Sequence, residues 1–308
     1  RSMAQKPDLT KKAIVAFNPP LGVHAEYIQA AGTRFAADAH FKGANRRSGA
    51  MMSYWAGDDA FTAESTKKKD TVKVDIFDMG GEHIRRLAFF PDSGLNRIYW
   101  DIKSKGVRNP RRAKPKKERL TEPGGAKVLN GTYKVLYTIG THKDSTFVNI
   151  VTDPRLPEAM VNLTAERIRH QEFITMTGSL TEAADRLRLA KEIVGKAKAA
   201  YSEDADSALL AKTSMISDSI KTMLYTLLPD EKVKGIQDFS NRLISKVGRL
   251  RGYIDSNGPV SPQFDQLNTQ IKPEIAAWLR QVNDFFDGPW LEFQKEAEDA
   301  MQSPFEKF

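Results

Sequence analysis

The sequence predicts an α+β chain of two domains, a β-sandwich followed by an antiparallel four-helix bundle. Three observations predict it. Short runs in which apolar and polar residues alternate extend from about Lys11 to Val151, the pattern of half-buried strands. Two closely spaced prolines in Asp153-Pro154-Arg155-Leu156-Pro157 then close that region, because neither a strand interior nor a helix interior accommodates them. Beyond them the apolar period becomes 3.6. Charge divides at the same place: residues 1–155 hold 28 basic and 16 acidic side chains, net +12, and residues 156–308 hold 19 and 23, net −4. With 308 residues and 40% apolar content, the chain has the material for two cores. The expected limits are a tail at 1–10, a β-sandwich at 11–152 with a basic loop at 103–119, and the helical bundle at 153–308. Arg1-Ser2-Met3 reads as a vector-derived scar ahead of a piece of something longer.

Taken in order, AIVAF, VHAEYIQ and AMMSYW are the first strands. The insertion at 34–48, within RFAADAHFKGANRRSG, separates the second from the third as a long loop, and its length marks it as either disorder or an interaction surface. TVKVDIF is the clearest hairpin arm, with Val72, Val74 and Ile76 facing one way and Lys73 and Asp75 the other. It ends in Asp78-Met79-Gly80-Gly81, whose glycines supply the positive φ of a tight turn. HIRRLAFF leads through Pro91-Asp92-Ser93-Gly94 into LNRIYWDI, where Trp100 is the expected core anchor. TYKVLYTIG and STFVNIV form the last hairpin, around a turn at Gly140 to Asp144.

In the helical half, Leu163 to about Tyr201 reads as one helix, with a capping-box spacing at Ser179-Leu180-Thr181-Glu182 and a stripe of Leu180, Ala183, Leu187, Ala190, Val194, Ala197 and Tyr201. A second helix carries Leu209 to Leu227 and stops at Pro229; a third carries Phe239 to Ile254 and stops at Gly258-Pro259. The fourth runs from Pro262, with a kink expected near Pro273 and another at Gly288-Pro289. Polar outer faces on all four describe the bundle.

The chain has no cysteine, which excludes disulfides and thiolate chemistry. No apolar run approaches the ~20 residues of a membrane span, and the N-terminus has no signal-peptide core. G-x-S-x-G, Walker and G-x-G motifs are missing. Ser65 and Lys68 have serine–lysine spacing but no companion motifs. His24, His40, His83, His142 and His170 are scattered, with no zinc-binding pair. Asp58-Asp59 lacks the further carboxylates of a calcium site. Asp101 is expected as a structural carboxylate, and Trp55, Trp278 and Trp290 as core residues. No catalytic residue, metal ligand or cofactor is expected.

The sharpest local feature is KSKGVRNPRRAKPKKER, where Lys103, Lys105, Arg108, Arg111, Arg112, Lys114, Lys116, Lys117 and Arg119 face a single Glu118. Nine cations could neutralise several phosphates of a polyanion, a nucleic acid or an anionic glycan, with Lys67, Lys68 and Lys69 assisting. Against this, no aromatic residue is interleaved, and Gly106, Pro110 and Pro115 fit an extended, solvated crossover loop between two strands.

The order of motifs carries a resemblance. Asp78 to Gly81, Arg85, then Gly94 with Asn96, Trp100 and Asp101, then Gly131 with Tyr133 and Val135, resembles the Ig-like module of the C-terminal domain of flagellar hook-capping proteins. Preceded by FNPPLG at Phe17 to Gly22 and followed by TDPR and a helical tail, the block resembles the C-terminal region of large secreted bacterial proteins built on a BNR or sortilin-type β-propeller, often labelled glycosyl hydrolase. The resemblance implies an Ig-like or fibronectin-III-like sandwich. It further implies a non-catalytic accessory region, with protein partners such as an upstream propeller or an envelope component, and a periplasmic, outer-membrane-associated or extracellular location. The S-x-D-x-G-x-x-W boxes of propeller repeats are absent, so any hydrolase active site of such a parent would lie outside this chain.

Overall fold

A computed structural model describes residues 8–25, 47–61, 70–115, 120–156, 162–201, 207–229, 238–254 and 261–300. The chain is α+β and divides into two compact units. One comprises residues 1–106 and 117–168, the other residues 107–116 and 169–308. The insertion at 34–48 lies largely outside the described residues, as do Ser65, Lys67, Lys68, Lys69 and His40.

In the first unit, β1 (Ile14–Ala16), β3 (Ala50–Ala56) and β6 (Gly94–Trp100) form an antiparallel sheet in the order β1-β3-β6. A second sheet has the order β2-β10-β9-β4-β5, from β2 (Gly22–His24), β4 (Val72–Phe77), β5 (His83–Phe89), β9 (Gly131–Ile139) and β10 (His142–Thr152). Its pairs are antiparallel except β2 with β10, which is parallel. The period-two pattern is what the sheets bury: β3 alternates buried and half-buried residues along its whole length, and β9 puts Tyr133, Val135, Tyr137 and Ile139 inside. Both sheets contribute to one core, where Met52, Tyr54 and Trp100 of the first meet Val74, Ile76, Val135 and Tyr137 of the second. The Tyr54 and Tyr137 rings lie 5.2 Å apart between them.

The turns follow the glycines. Gly81 closes the β4–β5 turn at φ 86°, where the Asp78 carboxylate also accepts the Glu82 N–H at 2.8 Å. Gly140 closes the β9–β10 hairpin at φ 55°, so β10 begins at His142, earlier than the alternation suggests. Two short strands were not legible in the sequence. They are β7 (Lys103–Lys105) and β8 (Gly124–Lys127), which pair antiparallel, so the basic stretch opens as a strand rather than as a loop.

The helical elements are α1 (Leu163–Ala200), α2 (Ser207–Leu227), α3 (Leu243–Ile254), α4 (Pro262–Asp287) and α5 (Pro289–Ala300). The unit division falls inside α1, after Ile168. Asn162 caps α1, its side-chain oxygen accepting the Ala165 N–H at 3.0 Å. The Ser179–Glu182 spacing therefore marks no helix start. It sits within α1, where the Thr181 hydroxyl turns back on the Thr177 carbonyl instead. The helix runs through Pro273 in α4 unbroken, with Pro273 at an exposed position. The break comes at Gly288, and α5 restarts with a proline in its first turn.

Buried positions follow a heptad rhythm. In α4 they are Phe264, Asn268, Ile271, Ile275, Trp278, Val282 and Phe285, and in α2 Thr213, Ile216, Ile220, Met223 and Leu227, spaced four and three apart. Cross-helix pairs give the directions. Arg169 meets Asp265, Glu172 meets Asn268 and Lys272, and Arg186 meets Asn283, so α1 runs parallel to α4. Lys212 of α2 reaches Glu292 and Glu296 of α5, and the Trp278 indole donates to the Met223 carbonyl at 3.0 Å, so α2 runs antiparallel to α4 and α5. The next stretch alongside α4 belongs to α3, with Lys246 opposite Glu274. An up-down four-helix order would set α1 antiparallel to α4. Here α2 and α3 together make the return path, a pairing that periodicity does not encode because it states which face is buried and not what lies across from it.

Candidate functional site

The basic stretch is the natural place to look for function, and the structure divides it. Trp100 is fully buried at the end of β6, and its indole nitrogen donates to the Lys103 carbonyl at 2.9 Å. Between them Ile102 has φ 56°, a conformation costly for a β-branched residue and held by the burial of its side chain and by the bond from the Val128 N–H to its carbonyl at 3.0 Å. The turn sends the chain into β7 against β8. The two backbones approach so closely that a Cβ on Gly106 would lie 2.4 Å from the Gly124 carbonyl oxygen.

A charged network surrounds this start. Arg85, itself buried, bonds Asp101 and donates to the Glu122 carbonyl at 3.2 Å. Asp75 is buried beneath β5, where Arg86 grips both its oxygens at 2.6 and 3.2 Å and His83 lies at 3.0 Å. The Glu122 carboxylate accepts the Arg86 N–H at 2.7 Å and pairs with Lys105 at 2.8 Å. Burial works to raise the Glu122 pKa, but these donors outweigh it and hold the group below the usual carboxylate range. Asp101 thus has the structural role its position suggests, as the partner of Arg85. Lys105 is engaged in the same network.

Residues 107–116 of the stretch belong to the helical unit. Asn109 and Pro110 open a turn in which the Arg112 N–H bonds the Asn109 carbonyl at 2.9 Å and the Arg111 N–H bonds the Asn109 side chain at 2.9 Å. Helix α1 grips that turn. The Arg108 guanidinium pairs with Asp185 and also reaches the Arg112 carbonyl. The Arg108 carbonyl lies 2.7 Å from the Thr181 hydroxyl, whose one proton it shares with the Thr177 carbonyl, and the Pro110 carbonyl accepts Arg188 at 2.6 Å. Arg111 lies over the Phe239 ring at 5.2 Å and beside the Ser245 hydroxyl at 3.5 Å. Thr181, Asp185 and Arg188 lie four and three apart on α1, so they share one face of it. That polar triplet was in the sequence; what it grips, some 70 residues upstream, was not.

Of the other stretch residues, Lys103, Arg112 and Lys114 make no ion pair among the described residues, and Lys116, Lys117 and Arg119 lie outside them. Elsewhere, Asp58 accepts a bond from Ser93, and the described residues contain no group of three or more His, Cys, Asp or Glu able to hold a metal ion. No helix among them is long and apolar enough to cross a membrane. Trp278 is buried, Trp290 packs among Phe285, Phe286 and Phe293, and Trp55 covers Leu9, Val15 and Phe17. Burial, with Lys127 nearby, pushes the His24 pKa down to about 4. No family model matches this chain, and no curated protein or solved structure matches it at a significant level.

Proposed function

We propose that this chain is a non-catalytic interaction region, an Ig-like or fibronectin-III-like sandwich followed by a helical bundle, in which the basic stretch is an anchored part of the bundle rather than a free polyanion-binding loop. The observation that carries the reading is how residues 107–112 are used. Arg108 and Arg111, which would face a polyanion on a free loop, face Asp185, Phe239 and Ser245 instead, and two contacts from α1 side chains to the carbonyls of Arg108 and Pro110 reinforce the grip. A segment so engaged serves as an anchor.

Two features support the sandwich. A three-stranded sheet of the first, third and sixth strands shares a core with a sheet built on the last two, and the second strand pairs parallel with the final one. Such pairing fits a fibronectin-III-like sandwich in which the first strand switches sheets, and supports that reading. The Tyr133 hydroxyl also bonds the Leu129 carbonyl at 2.8 Å, the geometry of a tyrosine corner. The motif order supports placement at the C-terminal end of a secreted bacterial propeller protein, working as a scaffold or partner-binding module in the envelope or outside the cell. A gene whose reading frame continues upstream of Ala4 into propeller repeats fits that placement; a complete short frame starting there would overturn it.

Trypsin tests the anchor on the intact chain. Peptides ending at Arg108, Arg111 and Arg112 are expected to appear slowly from the wild type, and about tenfold faster from Asp185→Asn, since about 1.4 kcal/mol of lost anchoring shifts the opening equilibrium by that factor. Equal rates would overturn the reading. The polyanion alternative is separated on a heparin column. Charge reversal at Arg111, Arg112, Lys116 and Lys117 leaves salt elution unchanged if the stretch is an anchor; collapse of retention supports a polyanion site instead.

A further inference from the structure

We propose that the outer edge of β6 is a docking site for an extended, acidic segment of another polypeptide, which adds to the β1-β3-β6 sheet as a fourth strand. The backbone geometry comes first. The Phe17 N–H donates to the Ser53 carbonyl at 3.1 Å, so Ser53 and its alternate neighbours on β3 direct their backbone groups at β1. Ala50, Met52, Tyr54 and Ala56 therefore bond β6, and their register partners are Trp100, Ile98, Asn96 and Gly94. It follows that the N–H and C=O groups of Leu95, Arg97 and Tyr99 point away from β3. No described strand lies on that side, and the backbone groups of these three residues make no hydrogen bond there among the described residues.

The other edges are short or closed. β1 and β2 span three residues each. The outer edge of β5 is capped by a reciprocal pair of bonds between Ala88 and the Thr121 hydroxyl, at 2.9 and 3.0 Å, and by Glu122 bonding the Arg86 backbone at 2.7 and 3.0 Å. β6 instead runs for seven residues with no proline, lysine or bulge to blunt it. An edge of this kind is the template for strand addition, in which backbone bonds give affinity and alternate side chains give selectivity.

Those side chains indicate the partner. Leu95 is half exposed, Arg97 is exposed and without a carboxylate among the described residues, and Tyr99 carries the Arg47 guanidinium 4.4 Å over its ring. The row is therefore apolar, cationic, then aromatic with a second cation. Arg97 is also the central residue of β6. Antiparallel pairing of two copies about that centre would set Arg97 against its own equivalent, a like-charge pair directly opposed across strands. A segment with a carboxylate at that position meets Arg97 favourably, so the edge selects a different, acidic chain over a second copy.

The test is a titration of the full-length, 15N-labelled protein with the blocked peptide Thr-Leu-Thr-Glu-Thr-Leu-Thr and its lysine analogue in place of glutamate. Amide shifts confined to Gly94–Trp100 are expected with the glutamate peptide. Arg97→Glu is expected to weaken that peptide by about fivefold and to favour the lysine analogue instead. Arg97→Pro removes the central donor at a position where an edge strand tolerates proline, and abolishes binding of both. Without β6 shifts in the wild type the proposal is overturned. Equal affinity for the two peptides overturns the charge assignment, and a dimer in sedimentation with β6 shifts on dilution assigns the edge to a second copy. The anchored stretch and this edge lie on separate segments, so either reading stands or falls alone.

Discussion

The two units fix their register by different physics. In the β unit, register is set by backbone ladders whose side chains alternate between core and solvent, so a slip by one residue would turn Val72, Val74 and Ile76 outward. In the helical unit the backbone bonds are internal to each helix, and register between helices rests on side chains alone. A few polar contacts supply it, notably the Asn268 amide on the Glu172 carboxylate at 2.8 Å and the Trp278 indole on the Met223 carbonyl. The lesson is that a heptad seam stays tolerant along its length unless something polar pins it, whereas a sheet is pinned at every residue.

The largest expected effects come from opening each core separately. Trp100→Ala removes a fully buried indole between the two sheets and is expected to cost about 3–5 kcal/mol. Leu187→Ala, in the core of the helical unit, is expected to cost about 2–5 kcal/mol. Circular dichroism on heating should show the first substitution lowering the near-ultraviolet transition to which Tyr54 and Tyr137 of the β unit contribute. The second should lower the loss of helical signal. If both substitutions shift a single transition equally, the units do not differ in the way described and unfold as one.

A smaller effect depends on pH. His24 in the folded chain titrates at about 4, below its unfolded value near 6.5, so the unfolded chain binds the extra proton. Its contribution is complete above pH 6.5 and is lost as pH falls through that window to about 4, at up to about 1.4 kcal/mol per pH unit. His24→Gln should flatten that stretch of the stability profile measured by urea denaturation; an unchanged slope would remove His24 from the account. Smallest is Tyr133→Phe, which deletes the bond to the Leu129 carbonyl and is expected to cost about 1 kcal/mol, because that carbonyl then turns to water. The loss should be read in the β unit alone.

Much of the fold was legible. The arms around Gly81 and Gly140, the anchor Trp100 and the buried stripes of α1, α2, α3 and α4 follow from alternation, glycine and period, which are local properties. The parallel β2–β10 pair, β7 with β8, and the direction of α1 against α4 were not, because each joins residues far apart in sequence whose own patterns are complete without the partner. The capping-box spacing in α1, read within one continuous helix, has no capping role. Such a motif caps only where helical N–H groups lack partners, and upstream turns already supply them there.

By itself, the sequence determined the α+β class, the change from strands to helices beyond the two prolines, the buried stripes of the helices and the concentration of charge at Lys103 to Arg119. Only the tertiary structure decided what that charge does. It put Lys105 into a ladder-side network with Glu122, set Arg108 on Asp185 and Arg111 on Phe239, and left Arg97, one unremarkable cation of a strand, at the centre of an open edge. The physical reason is that charge is a property of a residue, whereas its availability is a property of the neighbours that folding brings within a few ångströms of it.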